Sequence, residues 1–185
     1  LLINKCEFER NLNILSIKFP LNQWIINELS TTSKKIEKYM SKYLFHEVAN
    51  EIYHFIWHTY CDWYIEFAKT LFNEISDDSK ETKKVAIWIF IQILKMAHPT
   101  MPFITEQLWG VINGEKEFLM NQAFEEHNLI NQFKKSQSNI KHLTQIISAV
   151  RNIRSELNIS YKNLIDINFS NNRPDFIIFL NGYEN

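Results

Sequence analysis

The chain is expected to fold as an all-α antiparallel helical bundle, and three observations predict this. Apolar residues recur at i, i+3, i+4 and i+7 through several long stretches. Only 3 glycines and 4 prolines interrupt the 185 residues, too few for the tight turns of a β-sandwich or barrel or for a glycine-rich phosphate loop. An apolar content of 45%, with 14% aromatic and 22% charged residues, supplies one sizeable core and excludes a disordered chain.

Residues 1–19 hold no sustained period and read as a lead-in segment. Pro20 and Asn22 are start signals for a first helix, with Leu21, Ile25, Leu29, Thr32, Ile36, Tyr39, Met40 and Tyr43 on one face. A second helix, over residues 44–72, is apolar around most of its girth. Phe45, Val48, Ile52, Ile56, Tyr60, Trp63 and Phe67 form one side, and Tyr53, Trp57 and Tyr64 another. A helix that apolar belongs at the centre of a bundle.

The polar loop Ser76 to Ser79 can cap a third helix, residues 80–98, which is again apolar nearly all round. Pro99 ends it, and Pro102 suits the first turn of a fourth helix reaching Gly110 to Gly114. Residues 115–133 are polar and weakly patterned. A fifth helix, residues 134–158, carries Leu143, Ile146, Ile147, Val150, Ile153 and Leu157 on one stripe. After it, Leu164 to Phe169 suggest a short strand and Arg173 to Leu180 a short helix, a partial α/β segment that stops before a sheet could be completed. With Leu as first residue, the chain reads as a piece of something longer.

A net charge of −1 excludes a non-specific polyanion binder, so any nucleic-acid site must be a local patch. Cys6 and Cys61 are too few for a disulfide framework or a four-cysteine zinc site. The apolar run Val85 to Ala97 is broken by Gln92 and Lys95 and is too short to span a bilayer. With no signal peptide either, a soluble, reducing compartment is the expectation.

Two helices are basic on a defined side. On the first, Trp24, Thr31, Lys35, Lys38 and Lys42 fall within a narrow arc off the apolar stripe. An aromatic ring for a base and ammonium groups for phosphates would suit a single-stranded nucleic acid. The alternative is a solvated lysine face with Trp24 packed at a helix start. The second stretch holds Lys134, Lys135, Lys141, Arg151, Arg154 and Lys162 against one acid, Glu156. Arg151 lies at the flank of the stripe and is the better phosphate contact. Arg154 projects into the stripe, so it either grips phosphate or pairs, half-buried, with a carboxylate from another helix.

Other constellations carry less chemistry. His46-Glu47-Val48-Ala49-Asn50 fails the H-E-x-x-H zinc motif at its last position. His54, His58 and Asp62 share a helix face but lack an evident fourth ligand, so solvated or hydrogen-bonded histidines are expected rather than a metal. His98 is expected to close a helix end by bonding free carbonyls. Neither cysteine has an obvious base partner, which argues against a thiol nucleophile.

Four segments together resemble one family: Pro20 to Ile26, Phe55 to Glu66, His98 to Trp109 and Ala149 to Glu156. In order and spacing they resemble the anticodon-binding domain of class I aminoacyl-tRNA synthetases for branched aliphatic amino acids, across residues 20–162. The runs Cys61 to Tyr64 and His98 to Phe103 are similar to the valyl branch rather than the isoleucyl or leucyl ones, which stay as alternatives beside a helical module that binds no RNA. Trp57, Trp63, Phe103 and Trp109 read as bundle aromatics. Lys38-Tyr39-Met40-Ser41-Lys42 only echoes the K-M-S-K-S signature of these enzymes, one residue out and inside a helical pattern, and no H-I-G-H occurs. The chain therefore carries no catalytic motif.

The resemblance implies a domain that grips the anticodon stem-loop of valine tRNA and performs no chemistry itself. In the parent ligase, catalytic and editing domains of the same chain would use ATP with magnesium to attach valine and would hydrolyse mischarged threonine. Residues 1–19 would be the link from the catalytic domain, and residues 163–185 the start of a small α/β junction. A monomeric, cytoplasmic protein is implied. The expected contacts are Trp24 for stacking, with Asn22, Gln23 and Asn27 for base edges. Lys35, Lys38, Lys42 and Arg151 would hold phosphates, joined by Arg154. Family members often carry arginine at the place of Gln23, which can here only hydrogen-bond.

Overall fold

A proline, which needs no backbone donor in a helix's first turn, opens α1 (Pro20–Met40). The computed structural model describes residues 12–114, 117–123, 133–160 and 162–163. A 3-10 turn (Ile14–Ser16) leads into α1. The helix ends in a Schellman motif: Leu44 N–H donates to Tyr39 O and Tyr43 N–H to Met40 O, with Tyr43 left-handed at φ 57°. That reversal takes Tyr43 off the expected apolar stripe and leaves it 79% exposed.

The next rod has three windings. α2 (Phe45–His54) passes into a π-helical stretch (Phe55–Ile65), which passes into α3 (Glu66–Phe72). π turns close i→i+5 bonds and are rare. Their effect here is legible in the buried series Val48, Ile52, Phe55, Tyr60, Tyr64 and Ala68. The step from Phe55 to Tyr60 is five residues, which an α-helix would place on different sides. Tyr64 is therefore in the core, stacked on Tyr60 at 5.7 Å, while Tyr53 and Trp57, expected on its side, are half exposed.

α4 (Asp77–Ala97) begins at Ser76, whose side chain accepts from Ser79 N–H at 3.0 Å, and Asp77 and Asp78 face the positive end of the dipole. It is buried along its length and runs through the middle of the bundle. After the His98 to Met101 break, α5 (Pro102–Asn113) starts on Pro102 and stops at Gly114, whose φ of 67° a glycine adopts without a Cβ penalty. α6 (Lys134–Glu156) ends in a second Schellman motif, with Asn158 left-handed and Ile159 N–H donating to Arg154 O at 2.8 Å.

Tie points give the directions. Asn22 of α1 meets Tyr64 and Thr82, whereas Lys35, further along, meets Glu51, so α1 and the rod are antiparallel. Tyr60 bonds Ala86 O and Tyr64 bonds Thr82 O, so the rod and α4 are antiparallel too. α6 packs on α1, held at its first turn by Ser136 on Gln23 and Gln137 on Glu28. Among the described residues the architecture is all-α, with no strand. The expected strand at 164–169 and helix at 173–180 lie outside the described residues. No described helix is long and apolar enough to cross a membrane.

Two aromatics expected in the bundle stand outside it: Phe103 is 91% and Trp57 52% exposed, while Trp109 is buried, its indole N–H on Glu117 O at 2.8 Å. Phe103 sits in the first turn of α5, facing away from α4.

Candidate nucleic-acid interface

The first half of α1 is a sealed polar knot rather than a binding face. Glu81 of α4 accepts from Lys18 N–H, Phe19 N–H and Asn22 Nδ2, each at 3.0 Å, and so caps the free donors at the start of α1 with a carboxylate. Asn22 also donates to Thr82 Oγ1 at 3.1 Å and accepts from the Tyr64 hydroxyl at 2.9 Å. Its amide is spent and fully buried. Gln23 donates to Ile17 O at 2.9 Å and accepts from Ser136 Oγ at 2.6 Å, tying the lead-in segment to α6.

Trp24 is 6% exposed and Asn27 4%, and the Trp24 indole belongs to the core. Three of the four side chains expected to face bases are therefore buried, and Gln23 is half-buried with its amide used internally. Each faces inward because α1 is flanked by the rod, α4 and α6, so core residues cover far more of its girth than one stripe.

The lysines stand apart from that knot. Lys38 lies about 22 Å along the helix from Gln23, at 1.5 Å rise per residue. Lys35 pairs with Glu51 at 3.1 Å. Lys38 and Lys42 are exposed and make no ion pair among the described residues. The run Lys38 to Lys42 is the last turn of α1 and its cap, with Ser41 Oγ bonded to Lys38 O, a helix end and not an ATP-binding loop.

On α6 the two arginines part company. Arg154 donates to Ser160 O and Asn163 O, both at 2.8 Å, and clamps the backbone that follows the helix. Two of its five N–H donors are thus spent on backbone carbonyls, and no carboxylate among the described residues pairs with it. Arg151 is exposed, with its guanidinium carbon 5.2 Å above the centre of the Trp63 ring. Lys134, Lys135, Lys141 and Lys162 are also exposed.

Trp63, expected as a bundle aromatic, is half-buried and packs against the core from its edge. Its ring leans on Phe67 at 5.7 Å and lines a groove of about 380 Å³ with Thr144, Gln145, Ser148, Ala149 and Asn152 of α6. The signal that could have found this groove is the run of small residues, Thr144, Ser148 and Ala149, on one side of an otherwise bulky helix.

The remaining titratable clusters are local. His58 Nδ1 pairs with Asp62 at 3.2 Å, and His54 leans on the His58 ring at 5.2 Å. Among the described residues no group of three or more ligand side chains could hold a metal ion. His98 pairs its imidazole with Thr105 Oγ1 at 2.8 Å instead of with helix carbonyls, bridging α4 to α5. Burial, helped by the Asp62 carboxylate, pushes the Cys61 thiol up, so it stays protonated and a poor nucleophile near neutral pH. Cys6 lies outside the described residues.

A family model described as the anticodon-binding domain of tRNA ligase matches residues 22–168. Among curated proteins, a valine–tRNA ligase of Pelagibacter ubique is 39% identical over 178 residues, which cover 90% of this chain and 19% of that protein. One from Lactobacillus johnsonii is 38% identical over 152 residues, 81% of this chain and 17% of the relative. One from Buchnera aphidicola is 37% identical over 169 residues, 89% of this chain and 17% of the relative. The chain thus spans less than a fifth of the length of these curated relatives.

Proposed function

The chain belongs to the anticodon-binding domain family of tRNA ligases, and we propose that it is the part of a valine–tRNA ligase that grips the anticodon stem-loop of valine tRNA. The observation that carries this reading is the excess of exposed cations along α6 and just after it. Lys134, Lys135, Lys141, Arg151 and the following Lys162 are exposed against one acid, Glu156, in a chain whose net charge is −1. Concentrating cations on one helix gives a nearly neutral domain a local field for a phosphate backbone. Lys38 and Lys42 form a separate exposed basic spot at the other end of α1. In a stem-loop, phosphate contacts position the RNA and the unpaired bases supply discrimination.

In this reading the rest of the longer protein binds ATP with magnesium, attaches valine and edits mischarged threonine, and the whole acts as a cytoplasmic monomer. Residues 1–19 serve as the link to the catalytic part and residues 163–185 as the start of a junction. No residue of the described chain is assigned to ATP.

Filter binding across a salt series tests the proposal. The protein should bind valine tRNA more tightly than the same tRNA carrying another anticodon. Reversing Lys134, Lys135 and Lys141 to glutamate should weaken binding and flatten the slope of log K against log salt by about 0.7–0.9 per cation lost. Equal affinity for the anticodon-swapped tRNA, with a salt slope untouched by the reversals, overturns it.

A further inference from the structure

The groove between Trp63 and the middle of α6 is unlike the rest of the bundle. Where α6 docks on α1 it presents Ile140 and Leu143, both buried to within 1%. On a neighbouring side it lines the space beside an indole with Thr144, Ser148 and Ala149, and small side chains cannot fill the space opposite so large a ring. The opening that results, about 380 Å³, is shallow and lies open to solvent along one side of the ring. Gln145 and Asn152 stand along it, exposed and without a hydrogen-bond partner among the described residues. Arg151 sits over the ring.

An aromatic face, a movable guanidinium plane and two amides with open donors and acceptors are what an unstacked nucleobase requires. A base stacks on any π-face, and primary amides can pair its edge with two parallel bonds. We infer that this groove seats one unpaired nucleotide of the bound RNA, its base against the Trp63 indole with Arg151 lifted to cover it or its phosphate, and its edge within reach of Gln145 and Asn152. Arg151 can lift at little cost, since it is exposed and no carboxylate among the described residues holds it. The amides select among bases, and the indole tolerates all of them. This inference rests on the chain binding tRNA. It assigns base contact to a different aromatic from the one buried in α1.

The test uses the intact ligase that contains this chain, with valine tRNA as probe. Trp63→Ala should weaken tRNA binding by about 5- to 150-fold, the worth of one base–aromatic stack. Trp63→Phe, which keeps a ring, should stay within about threefold of wild type. Ser148→Leu removes no ring and no charge but fills the groove, and it should weaken binding as Trp63→Ala does. Valine tRNA with a photoreactive pyrimidine at single anticodon-loop positions should cross-link to the Trp63 or α6 segment from one position only. Unchanged binding by Trp63→Ala, full affinity in Ser148→Leu, or equal loss in Trp63→Phe and Trp63→Ala each overturns the inference while valine tRNA is still preferred by the wild type. Loss of that preference in the wild type itself overturns the functional reading, and this one with it.

Discussion

Trp24 and Trp63 are both tryptophans set among amides, yet one is sealed inside the core and the other is half-buried at its edge, packed against the core on one side and open on the other. Around Trp24, Asn22 and Gln23 find partners on the rod, α4 and α6, with sequence separations of 42 to Tyr64, 60 to Thr82 and 113 to Ser136. Three elements converge there, and the indole is left 6% exposed. On the open side of Trp63 α6 brings small residues, and Gln145 and Asn152 make no hydrogen bond among the described residues. An aromatic beside amides is therefore no signature of a binding face. What decides is whether elements distant in sequence bring partners to those amides. The polar knot at α1 also has a structural purpose, because Glu81 satisfies donors that a helix start leaves open.

The sharpest way to break this contrast is to truncate the buried ring. Trp24→Ala should cost about 3–5 kcal/mol through lost burial and a residual cavity. In a domain of this size that lowers Tm by roughly 6–20 °C, at about 2–4 °C per kcal/mol. Calorimetry checks this, and tRNA affinity measured well below the transition should stay at the wild-type value. A variant that melts normally but loses tRNA would make Trp24 a contact after all. Next in size is Asn22→Leu, which should cost about 2–3 kcal/mol. It leaves the Tyr64 hydroxyl with only its longer bond to Thr82 O among those described, takes the amide donor from Thr82 Oγ1 in the interior, and takes one donor from Glu81. Denaturant melts should report it as a lower midpoint with an unchanged slope.

Much of the fold was legible before any coordinates, because its punctuation is local chemistry. Pro20 and Pro102 open helices, Ser76 caps one and Gly114 ends one, as their side chains or lack of them require. The register of the second rod was not legible. A 3.6-residue template puts Tyr64 with Tyr53 and Trp57, but i→i+5 winding from Phe55 to Ile65 turns Tyr64 inward and leaves the other two outside. The family likeness was readable in motifs that pack, which is why it did not locate a contact surface. His98, Glu81 and Arg154 bind partners that a helical pattern cannot foresee: a neighbouring helix's hydroxyl, a helix start and two loop carbonyls. The exposure of Arg151 was readable, because a residue at the flank of a stripe meets solvent whatever the stripe packs on.

The smallest expected effect sharpens the contrast most finely. Arg151 lies 5.2 Å above Trp63, exposed and with no ion pair among the described residues. An exposed cation over a ring is worth about 0.5–1 kcal/mol. Arg151→Ala should therefore shift Tm by only about 1–4 °C, well short of either variant at the α1 knot. Its effect on RNA should follow a different rule. Losing one phosphate-facing charge should lower the salt slope by about 0.7–0.9. Arg151→Lys should restore that slope, since an ammonium group neutralises phosphate as well. It should not restore full affinity if a base lies beneath the guanidinium, since lysine is a point charge with no plane to stack. A thermal shift as large as that of Asn22→Leu would mean that the Trp63 edge is core after all. Complete recovery of affinity by lysine would reduce Arg151 to a charge and leave the indole as the groove's only stacking surface.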